Sequence, residues 1–297
     1  MKTVNENGQL AVVAKRQLAK LGTDEKNNIL AVCAKALRDN AEFIVGENAK
    51  DMENAKNNNM PQGLQDRLML NVERVNAMAE GLELIEKLPD PIGEVLDMRT
   101  LPNGLTVGQK RVPMGVIGII YEARPNVTSD AFGLCLKAGS AVILRGGSDA
   151  IHSNIATVSV FRKAIEGLGY NHDFVQLVED TTRTSSTEMM TLNDYIDLLI
   201  PRGGKGLIQS VVKNATVPVI ETGVGNCHIY MDESGKIDDG VNIIVNAKAQ
   251  RVGVCNAAET LLVHKNIAKE YLPKAISALR EKGVEIRGDE IFVNAGA

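Results

Sequence analysis

The pattern that defines this chain opens with a strongly apolar run, Val116-Ile-Gly-Ile-Ile-Tyr121. Short apolar runs of the same kind recur along the chain, at residues 141–144, 174–177, 196–200, 217–220 and 229–231. Amphipathic segments separate them, including residues 150–167 and 205–212. Short buried runs that alternate with helical segments are typical of βαβ units, so the sequence predicts an α/β fold with a doubly wound, mostly parallel sheet. Ligands of such sheets bind beyond the carboxyl ends of the strands.

The residues before this region have a helical pattern. Apolar residues recur at three- and four-residue spacings, with glycine or asparagine at the breaks. This predicts helices at residues 6–21, 24–37, 41–55 and 64–87, with Thr23 as the cap of the second. The segments 95–101 and 105–112 flank Pro102-Asn-Gly104, and Asn-Gly favours the positive φ angles of tight turns. Residues 94–112 are therefore predicted to form a hairpin arm.

A second domain is predicted towards the C-terminus. The pattern restarts after residue 235, with a helix at 239–249, a strand at 261–264, a helix at 267–282 and a strand-like piece at 285–293. The predicted division is therefore 1–235, an α/β domain preceded by helices, and 236–297, the start of a second α/β domain. A unit of about 60 residues is marginal for an independent core.

Composition excludes several classes of protein. The chain has 297 residues, of which 44% are hydrophobic and 24% charged, and a net charge of −4. This balance gives no basic surface for nucleic acid or for an anionic membrane. The four cysteines form no CxxC pair and no Cys/His cluster, so neither disulfides nor a metal site is predicted. With no signal peptide and no long apolar run, we expect a cytoplasmic protein.

A glycine-rich turn, Gly203-Gly-Lys-Gly206, follows the run that ends at Ile200 and precedes an amphipathic segment. A strand-to-helix turn of this kind presents backbone N–H groups to an anion, which makes it a candidate phosphate contact. A plain tight turn is the alternative. Because no GxGxxG fingerprint follows any of the apolar runs, the standard Rossmann binding mode is not predicted.

Cys255 is a candidate nucleophile. It lies in a polar stretch with Arg251, Gly253 and Asn256 nearby, and a reactive thiol needs partial exposure, positive charge and backbone N–H donors. The alternative is the role of a small buried hydrophobic residue, which is the commoner one for a free cysteine.

Four segments, taken in order, carry a resemblance to a known family. They are Tyr121-Glu-Ala-Arg-Pro-Asn-Val-Thr-Ser-Asp130, Leu136-Lys-Ala-Gly-Ser-Ala-Val-Ile-Leu-Arg-Gly-Gly-Ser148, Glu221-Thr-Gly-Val-Gly-Asn226 and Cys255. Their order resembles the aldehyde dehydrogenase superfamily over the whole chain, and the first segment is most similar to its gamma-glutamyl phosphate reductase branch. The resemblance implies an aldehyde dehydrogenase-like fold, with an NADP-binding first domain and a catalytic second domain.

The resemblance also implies a reaction, the NADPH-dependent reduction of L-glutamyl 5-phosphate to L-glutamate 5-semialdehyde and phosphate in proline biosynthesis. Cys255 would form a thioester with the acyl group. Asn126 would donate to the oxyanion, and its alternative role is a helix cap after Pro125. Glu221 matches the general base of the superfamily. Because this branch uses phosphate rather than water, a structural role or a role in proton transfer remains open for Glu221.

The cofactor and substrate contacts implied by the resemblance are these. Where the superfamily has a Lys-Pro-Ser-Glu segment, this chain has Arg145-Gly-Gly-Ser148. A carboxylate at the last position would bond the ribose 2′-hydroxyl, so its absence favours NADPH over NADH, and a sheet-end salt bridge is the alternative role of Arg145. The remaining contacts would be Arg202, Gly203 and Gly204 for cofactor phosphate, and Arg124 and Arg251 for substrate.

The resemblance leaves two roles open for each of two basic residues, Lys137 and Arg124. Lys137 would attract the anionic substrate or lie on a solvated face, and Arg124 could instead form a structural ion pair. Because members of the family are longer than this chain, we expect an incomplete catalytic domain with little activity. A general aldehyde dehydrogenase and a non-catalytic nucleotide-binding fragment are the alternative functions. The expected partners are a small-molecule substrate, further copies of the chain and, by channelling, glutamate 5-kinase, with no nucleic acid and no membrane.

Overall fold

The computed structural model of the chain describes residues 2–122, 124–223, 225–252 and 254–296. The chain divides into two compact units, Met1–Thr222 and Gly223–Ala297. The boundary lies before the strand that begins at His228, whereas the sequence predicted it after residue 235. The earlier boundary follows from strand pairing, because this strand pairs with one that begins at Thr260, inside the second unit.

Helices form the beginning of the first unit, close to where the apolar spacing predicted them. Their bounds are Val4–Leu18 (α1), Thr23–Asp39 (α2), Ala41–Asn57 (α3), Gln62–Leu68 (α4) and Val72–Lys87 (α5). Each of these helices has buried residues, so their apolar faces contribute to the core.

The single helix predicted at residues 64–87 is two helices, α4 and α5. Asn48, buried on α3, donates to the Leu68 carbonyl at 2.9 Å and accepts from the Leu70 amide at 2.8 Å. Asn71 then caps α5 by accepting from the Arg74 amide at 2.8 Å. Side-chain amides that bond the backbone compete with helix continuation, and here they fix the break.

Thr23 is not the cap of α2, as the sequence had predicted. Gly22 holds the N-cap position, and its amide donates to the Glu25 carboxylate at 2.8 Å. The Thr23 hydroxyl donates instead to Asp90 at 2.8 Å, and Asp90 also pairs with buried Lys26 at 2.5 Å. A tertiary partner has therefore replaced the local bond that the sequence predicted.

The hairpin arm is confirmed. Strands Val95–Thr100 (β1) and Thr106–Lys110 (β2) pair antiparallel, and all their residues are exposed. Gly104 in the turn has φ +83°, a left-handed conformation that glycine adopts without strain.

The central sheet of the first unit is parallel throughout its four strands, which confirms the predicted α/β arrangement. The strand order is β5-β4-β3-β6, with β3 at Val116–Tyr121, β4 at Ala141–Arg145, β5 at Val175–Leu177 and β6 at Leu198–Arg202. The accompanying helices are Asn126–Lys137 (α6), Ile151–Gly167 (α7), Arg183–Met190 (α8) and Lys205–Asn214 (α9).

Both faces of this sheet are covered. Along β3, Ile117, Ile119 and Tyr121 enter one apolar cluster, whereas Val116 and Ile120 enter another. This alternation is the two-residue period of a strand. Because both faces are buried, β3 is apolar at nearly every position, which explains why its sequence signal was so clear.

The predicted strand at residues 217–220 is wrong. Only an isolated bridge forms there, between Leu199 and Val219, supported by bonds from Leu199 N to Pro218 O at 2.8 Å and from Ile220 N to Leu199 O at 3.0 Å. Pro218 has no N–H to donate, so a regular ladder cannot continue through it. Helix α8 was missed, because its mixed polar sequence shows little apolar periodicity.

The second unit contains a two-stranded parallel sheet, with β7 at His228–Met231 and β8 at Thr260–Val263. Its helices are Ile237–Ala249 (α10), Lys265–Glu281 (α11) and Glu290–Asn294 (α12). The strand predicted at residues 285–293 is wrong, because Asp289 accepts from the amides of Ile291 and Phe292, both at 3.0 Å, and caps α12. A side chain that accepts two first-turn amides favours a helix at this point.

Candidate functional site

The carboxyl ends of β3, β4 and β6 lie at one edge of the first unit's sheet, because the strands are parallel neighbours. Most of the residues predicted in this unit to contact cofactor or substrate follow these three ends. Ligands of open parallel sheets bind at this edge. The topology therefore brings together Arg145, Arg202 and the turn after Tyr121, which the sequence separates widely.

Asn126 is exposed and is the first residue of α6, while Pro125 holds the N-cap position. Its side-chain amide donates to the Asp130 carboxylate at 3.0 Å, one turn further along the helix. Asn126 is therefore not the N-cap of α6, and within the described part of the chain its side chain accepts no first-turn amide. An Asn amide has two N–H donors, so the bond to Asp130 can hold the amide while the other donor faces a ligand.

Asp130 was missed by the sequence interpretation. Burial raises the pKa of its carboxyl, while the hydrogen bond from Asn126 and the charge of Arg202 act in the opposite direction. The signal that could have revealed it is the i, i+4 spacing of Asn126 and Asp130, which places the two side chains on one face of the helix.

Three buried polar side chains form a hydrogen-bonded row that includes Thr128 of α6. The Tyr121 hydroxyl lies 2.7 Å from the Thr128 hydroxyl, which donates to the Asn154 amide oxygen at 2.8 Å. Burial raises the pKa of Tyr121 above its ordinary range. A Cβ on Gly146 would overlap the Asn154 amide nitrogen, so the turn after β4 needs glycine to pass this side chain.

Arg145 is partly buried at the end of β4. Its Nη2 atom donates to the Thr181 and Thr182 carbonyls at 2.7 and 2.8 Å, so its partners are backbone oxygens and not the acidic side chain of a sheet-end salt bridge. Burial lowers the pKa of its guanidinium, against the charge of Asp180. Its Nε atom is buried without a partner among the described residues. Ser148 is exposed just beyond, at the start of a short 3₁₀ turn.

The glycine-rich turn lies between β6 and α9, as predicted. Gly204 is the N-cap of α9, and its amide donates to the Glu122 carboxylate at 3.0 Å. A Cβ on Gly203 would lie 2.7 Å from the Glu122 carboxyl carbon, so Gly203 leaves room for this side chain. The turn does bind an anionic group, and in this structure that group belongs to the chain itself. A cofactor phosphate at Gly204 would have to displace Glu122, a residue that the sequence interpretation did not single out.

The remaining predicted residues of the first unit differ in their surroundings. Arg124 is partly buried, and its amide donates to the Glu122 carbonyl at 2.7 Å. Glu221 is exposed in a segment without regular secondary structure. Lys137 is neither a substrate contact nor a solvated residue: it is 4% exposed and donates to Asn27 Oδ1 at 2.6 Å and to the Glu86 carbonyl at 2.8 Å. Burial lowers the pKa of this lysine.

Cys255 is exposed in the turn-rich segment that joins α10 to β8 in the second unit. The role of a small buried hydrophobic residue is therefore excluded for it. Arg251 and Asn256 are exposed in the same segment, and Gly253 lies outside the described residues. By contrast, Cys33 and Cys135 are buried, and burial raises the pKa of Cys135 to about 12.

A set of hydrogen bonds ties the segment before β7 to the segment that contains Cys255. The Cys227 carbonyl accepts from the amides of Glu259 and Thr260 at 2.9 and 3.2 Å. The Thr260 hydroxyl donates to Asn226 Oδ1 at 3.0 Å, and the Cys227 thiol donates to the Cys255 carbonyl at 3.5 Å. Cys227 was not predicted as a site residue, although the sequence places it just before the predicted strand at residues 229–231.

Two general features of the described residues bear on function. Across residues 2–122, 124–223, 225–252 and 254–296, no three His, Cys, Asp or Glu side chains are grouped as metal ligands. None of the helices in these ranges combines the length and the apolar character needed to cross a membrane.

Comparison with known proteins places these features in a family. A sequence profile of the aldehyde dehydrogenase family matches residues 1–290. A gamma-glutamyl phosphate reductase from Lachnospira eligens is 55% identical over 290 residues, which is 98% of this chain and 70% of that protein. A protein of the same name from Clostridium botulinum is 56% identical over 289 residues, 97% of this chain and 70% of that protein.

Solved structures agree with the sequence matches. The crystal structure of gamma-glutamyl phosphate reductase from Thermotoga maritima superposes with a TM-score of 0.88 at 45% identity, over 99% of this chain and 71% of that one. A propionaldehyde dehydrogenase from Clostridium phytofermentans shares the fold, with a TM-score of 0.71 at 19% identity over 93% of this chain and 60% of that one. The chain belongs to the aldehyde dehydrogenase family and, within it, to the gamma-glutamyl phosphate reductases.

Proposed function

We propose that the chain acts in the NADPH-dependent reduction of L-glutamyl 5-phosphate to L-glutamate 5-semialdehyde and phosphate, a reaction of proline biosynthesis. The observation that carries this proposal is an exposed cysteine, Cys255, in a chain that belongs to the gamma-glutamyl phosphate reductases. The four free cysteines are consistent with a reducing compartment, and we place the protein in the cytoplasm.

Cys255 is the proposed nucleophile. Its thiolate would attack the carbonyl carbon of the acyl phosphate, the tetrahedral oxyanion would collapse, and phosphate would leave as the thioester forms. Phosphate is a good leaving group, so it needs less activation by the protein than an amine or alkoxide leaving group would need. The thiolate is released again when the aldehyde departs, which returns Cys255 to its starting state.

Asn126 is the proposed side-chain donor to the oxyanion. Its amide is exposed, and Asp130 holds it through one N–H. A donor that is already oriented needs no reorganisation as charge develops, which is why such donors lower the barrier. Glu221 is proposed to assist proton transfer or to hold its loop, because water activation would hydrolyse the thioester. Arg124 and Arg251 are proposed to attract the anionic substrate.

We propose that a nicotinamide nucleotide binds at the carboxyl edge of the first unit's sheet. Arg145 has a buried Nε donor without a partner in the described part of the chain, and Ser148 is exposed shortly after it. Arg202 is exposed at the end of β6, with β3 between it and Arg145. We propose that these residues hold the cofactor together with Gly203 and Gly204, where its phosphate would displace Glu122 from the Gly204 amide. When bound, NADPH supplies the hydride for the reduction. A hydroxyl at Ser148, where a carboxylate would repel a 2′-phosphate, supports NADPH over NADH.

We also propose that the chain forms homo-oligomers through its hairpin arm. Leu96 and Met98 on β1 are 48% and 64% exposed, and Val107 on β2 is 38% exposed. Several large exposed apolar side chains on one short hairpin indicate an interaction surface. A second proposed partner is glutamate 5-kinase, because direct transfer of its product would protect an acyl phosphate from water.

The test is phosphate-dependent reduction of NADP⁺ by L-glutamate 5-semialdehyde, with the Thermotoga maritima protein as the reference. The rate of this chain, however low beside the reference, should require phosphate and should disappear in Cys255→Ala. A Cys255→Ser variant controls for side-chain size. Mass spectrometry of the quenched reaction should show the glutamyl group on the peptide that contains Cys255.

The alternative functions give different results in the same assay. Oxidation that proceeds without phosphate would indicate a general aldehyde dehydrogenase. Binding of NADPH without turnover and without acylation of Cys255 would indicate a non-catalytic nucleotide-binding protein. Turnover that survives Cys255→Ala would overturn the covalent mechanism.

A further inference from the structure

The second unit places a second thiol beside the backbone of Cys255. Cys227 is partly buried just before β7, and its Sγ atom lies 3.5 Å from the Cys255 carbonyl oxygen. The two residues are 28 positions apart in the sequence, so the fold and not the chain connection brings them together. No disulfide joins them, and both thiols are free.

Gly225 lies against both members of the pair. A Cβ added to Gly225 would lie 3.9 Å from the Cys255 carbonyl oxygen and 4.0 Å from Cys227 Sγ, so the backbone at Gly225 closely borders both cysteines without a side chain between them. Cys255 itself lies in a turn rather than in a helix or strand. A disulfide needs Cα atoms roughly 4.4–6.8 Å apart, so forming it requires the turn that contains Cys255 to bring the two residues to that spacing.

The position of Cys227 is fixed independently of its thiol. Its carbonyl accepts from the amides of Glu259 and Thr260, and neighbouring Asn226 accepts from the Thr260 hydroxyl. These bonds hold Cys227 on the frame of the β7–β8 sheet while Cys255 lies on the connecting turn. One residue of the pair is therefore exposed, and the thiol of the other contacts its backbone.

We propose that Cys227 and Cys255 form a reversible disulfide when the protein meets hydrogen peroxide. The exposed Cys255 thiolate attacks one oxygen of the peroxide, the O–O bond breaks, and Cys255 becomes a sulfenic acid while hydroxide leaves. The Cys227 thiolate then attacks the sulfenic sulfur, an S–S bond forms and a second hydroxide leaves. In sum, two thiols and one hydrogen peroxide give one disulfide and two waters.

The disulfide would have two consequences. It would consume the exposed thiol and, where the proposed function holds, stop the reaction until a thiol reductant breaks the bond. It would also protect Cys255 from further oxidation to the sulfinic and sulfonic acids, which most cells cannot reverse. Cys227 would thus act as a resolving cysteine.

The test uses the purified chain and reads masses, so it does not depend on catalytic activity. The reduced chain is treated with a small excess of hydrogen peroxide, denatured, alkylated with iodoacetamide and digested without reductant. We expect one linked peptide pair that contains Cys227 and Cys255 and that dithiothreitol separates. The buried Cys33 and Cys135 are internal controls and should be recovered alkylated.

Variants sharpen the test. In Cys227→Ser the linked pair should be lost, and Cys255 should be trapped as a sulfenic acid by dimedone and proceed to the sulfinic acid. Cys135→Ser is the matched control and should still form the link. Over-oxidation of Cys255 in the unsubstituted chain without any link to Cys227 would overturn the proposal. So would the absence of any reaction at Cys255, or a link found only between two separate chains on a non-reducing gel.

Discussion

At the scale of single residues, surroundings separate the free cysteines of this chain. Cys33 and Cys135 lie in the apolar core, where burial disfavours the thiolate and raises the pKa of each. Cys255 is exposed in a turn, so reagents and substrates can reach it. Residue type alone does not distinguish these thiols, because chemical reactivity depends on access and on stabilisation of the anion.

Asn126 carries a prediction at this scale. Asn126→Ala should lower kcat for phosphate-dependent NADP⁺ reduction by about 10²–10³ relative to the unsubstituted chain, which is the typical effect of removing an oxyanion donor. Steady-state kinetics would measure it. Because the Asn126 amide also donates to the partly buried Asp130 carboxyl, the free energy of unfolding should fall by about 0.5–1.5 kcal/mol. Leu134→Ala, also exposed on α6, is the control and should retain kcat. An unchanged kcat in Asn126→Ala would exclude this role.

At the scale of elements, a carboxylate from one helix caps another. Asp51, buried on α3, accepts from the Ser153 amide and hydroxyl at 2.8 and 2.6 Å and from the His152 amide at 3.1 Å. These donors belong to the first turn of α7, whose N-terminal amides lack partners within the helix. The cap therefore joins α3 to the helix that packs against the central sheet.

Asp51→Asn should destabilise the fold at neutral pH by about 1–3 kcal/mol. Both oxygens of Asp51 accept from N–H or O–H donors, and the NH₂ group of asparagine would face one of them and leave it unsatisfied. Urea unfolding at pH 7 would measure the loss. Glu53→Gln, exposed on the same helix, is the control and should change stability little. Equal stability of Asp51→Asn and the unsubstituted chain would contradict this account.

The same residue gives a pH dependence. Burial raises the pKa of Asp51, against the hydrogen bonds from Ser153 and His152. The folded state then holds this proton more tightly than the unfolded chain, so the contribution of protonated Asp51 to stability is present in acid and lost as pH rises through its folded-state pKa. Urea midpoints across this acidic range should show that component in the unsubstituted chain. Asp51→Asn should lack it.

At the scale of the whole molecule, the hairpin arm differs from the rest of the first unit because its strands bury no residue in the core. All residues of β1 and β2 are exposed, and several of them are large and apolar. An isolated two-stranded hairpin is marginally stable in water. Burying its apolar side chains against a partner would stabilise it. Self-association is therefore expected to involve this surface.

Charges on the hairpin should weaken self-association. The double variant Leu96→Glu/Met98→Glu should shift the purified protein to a smaller assembly, because carboxylates would have to lose water in the contact. Sedimentation velocity at several concentrations would measure the shift. Circular dichroism should remain unchanged, since both side chains are exposed. Leu84→Glu, which adds a carboxylate at an exposed position of α5 outside the hairpin, is the control and should leave the assembly unchanged. An unchanged assembly in the double variant would exclude β1 as the contact.

Sequence reasoning succeeded where structure depends on local spacing. The run at Val116–Tyr121 became β3 at the predicted residues, and Asn103-Gly104 became the hairpin turn. Both signals are complete within a few residues, because apolar period and backbone preference are local properties. The predicted strand at residues 217–220 shows the limit of this reasoning. Its apolar residues favoured a strand, but Pro218 cannot donate a backbone hydrogen bond, and only an isolated bridge forms there.

The sequence by itself determined the class of fold, the family and the identity of Cys255 as the candidate nucleophile. The bond from Asn126 to Asp130 is local, but tertiary structure alone decided the distant contacts of the other polar residues. Gly204 meets Glu122 across 82 positions, and Lys137 meets Asn27 across 110. The physical reason is that burial and hydrogen-bond partners depend on which segments, far apart in the sequence, pack together in the folded chain. A local pattern of residues does not show which distant groups will become neighbours.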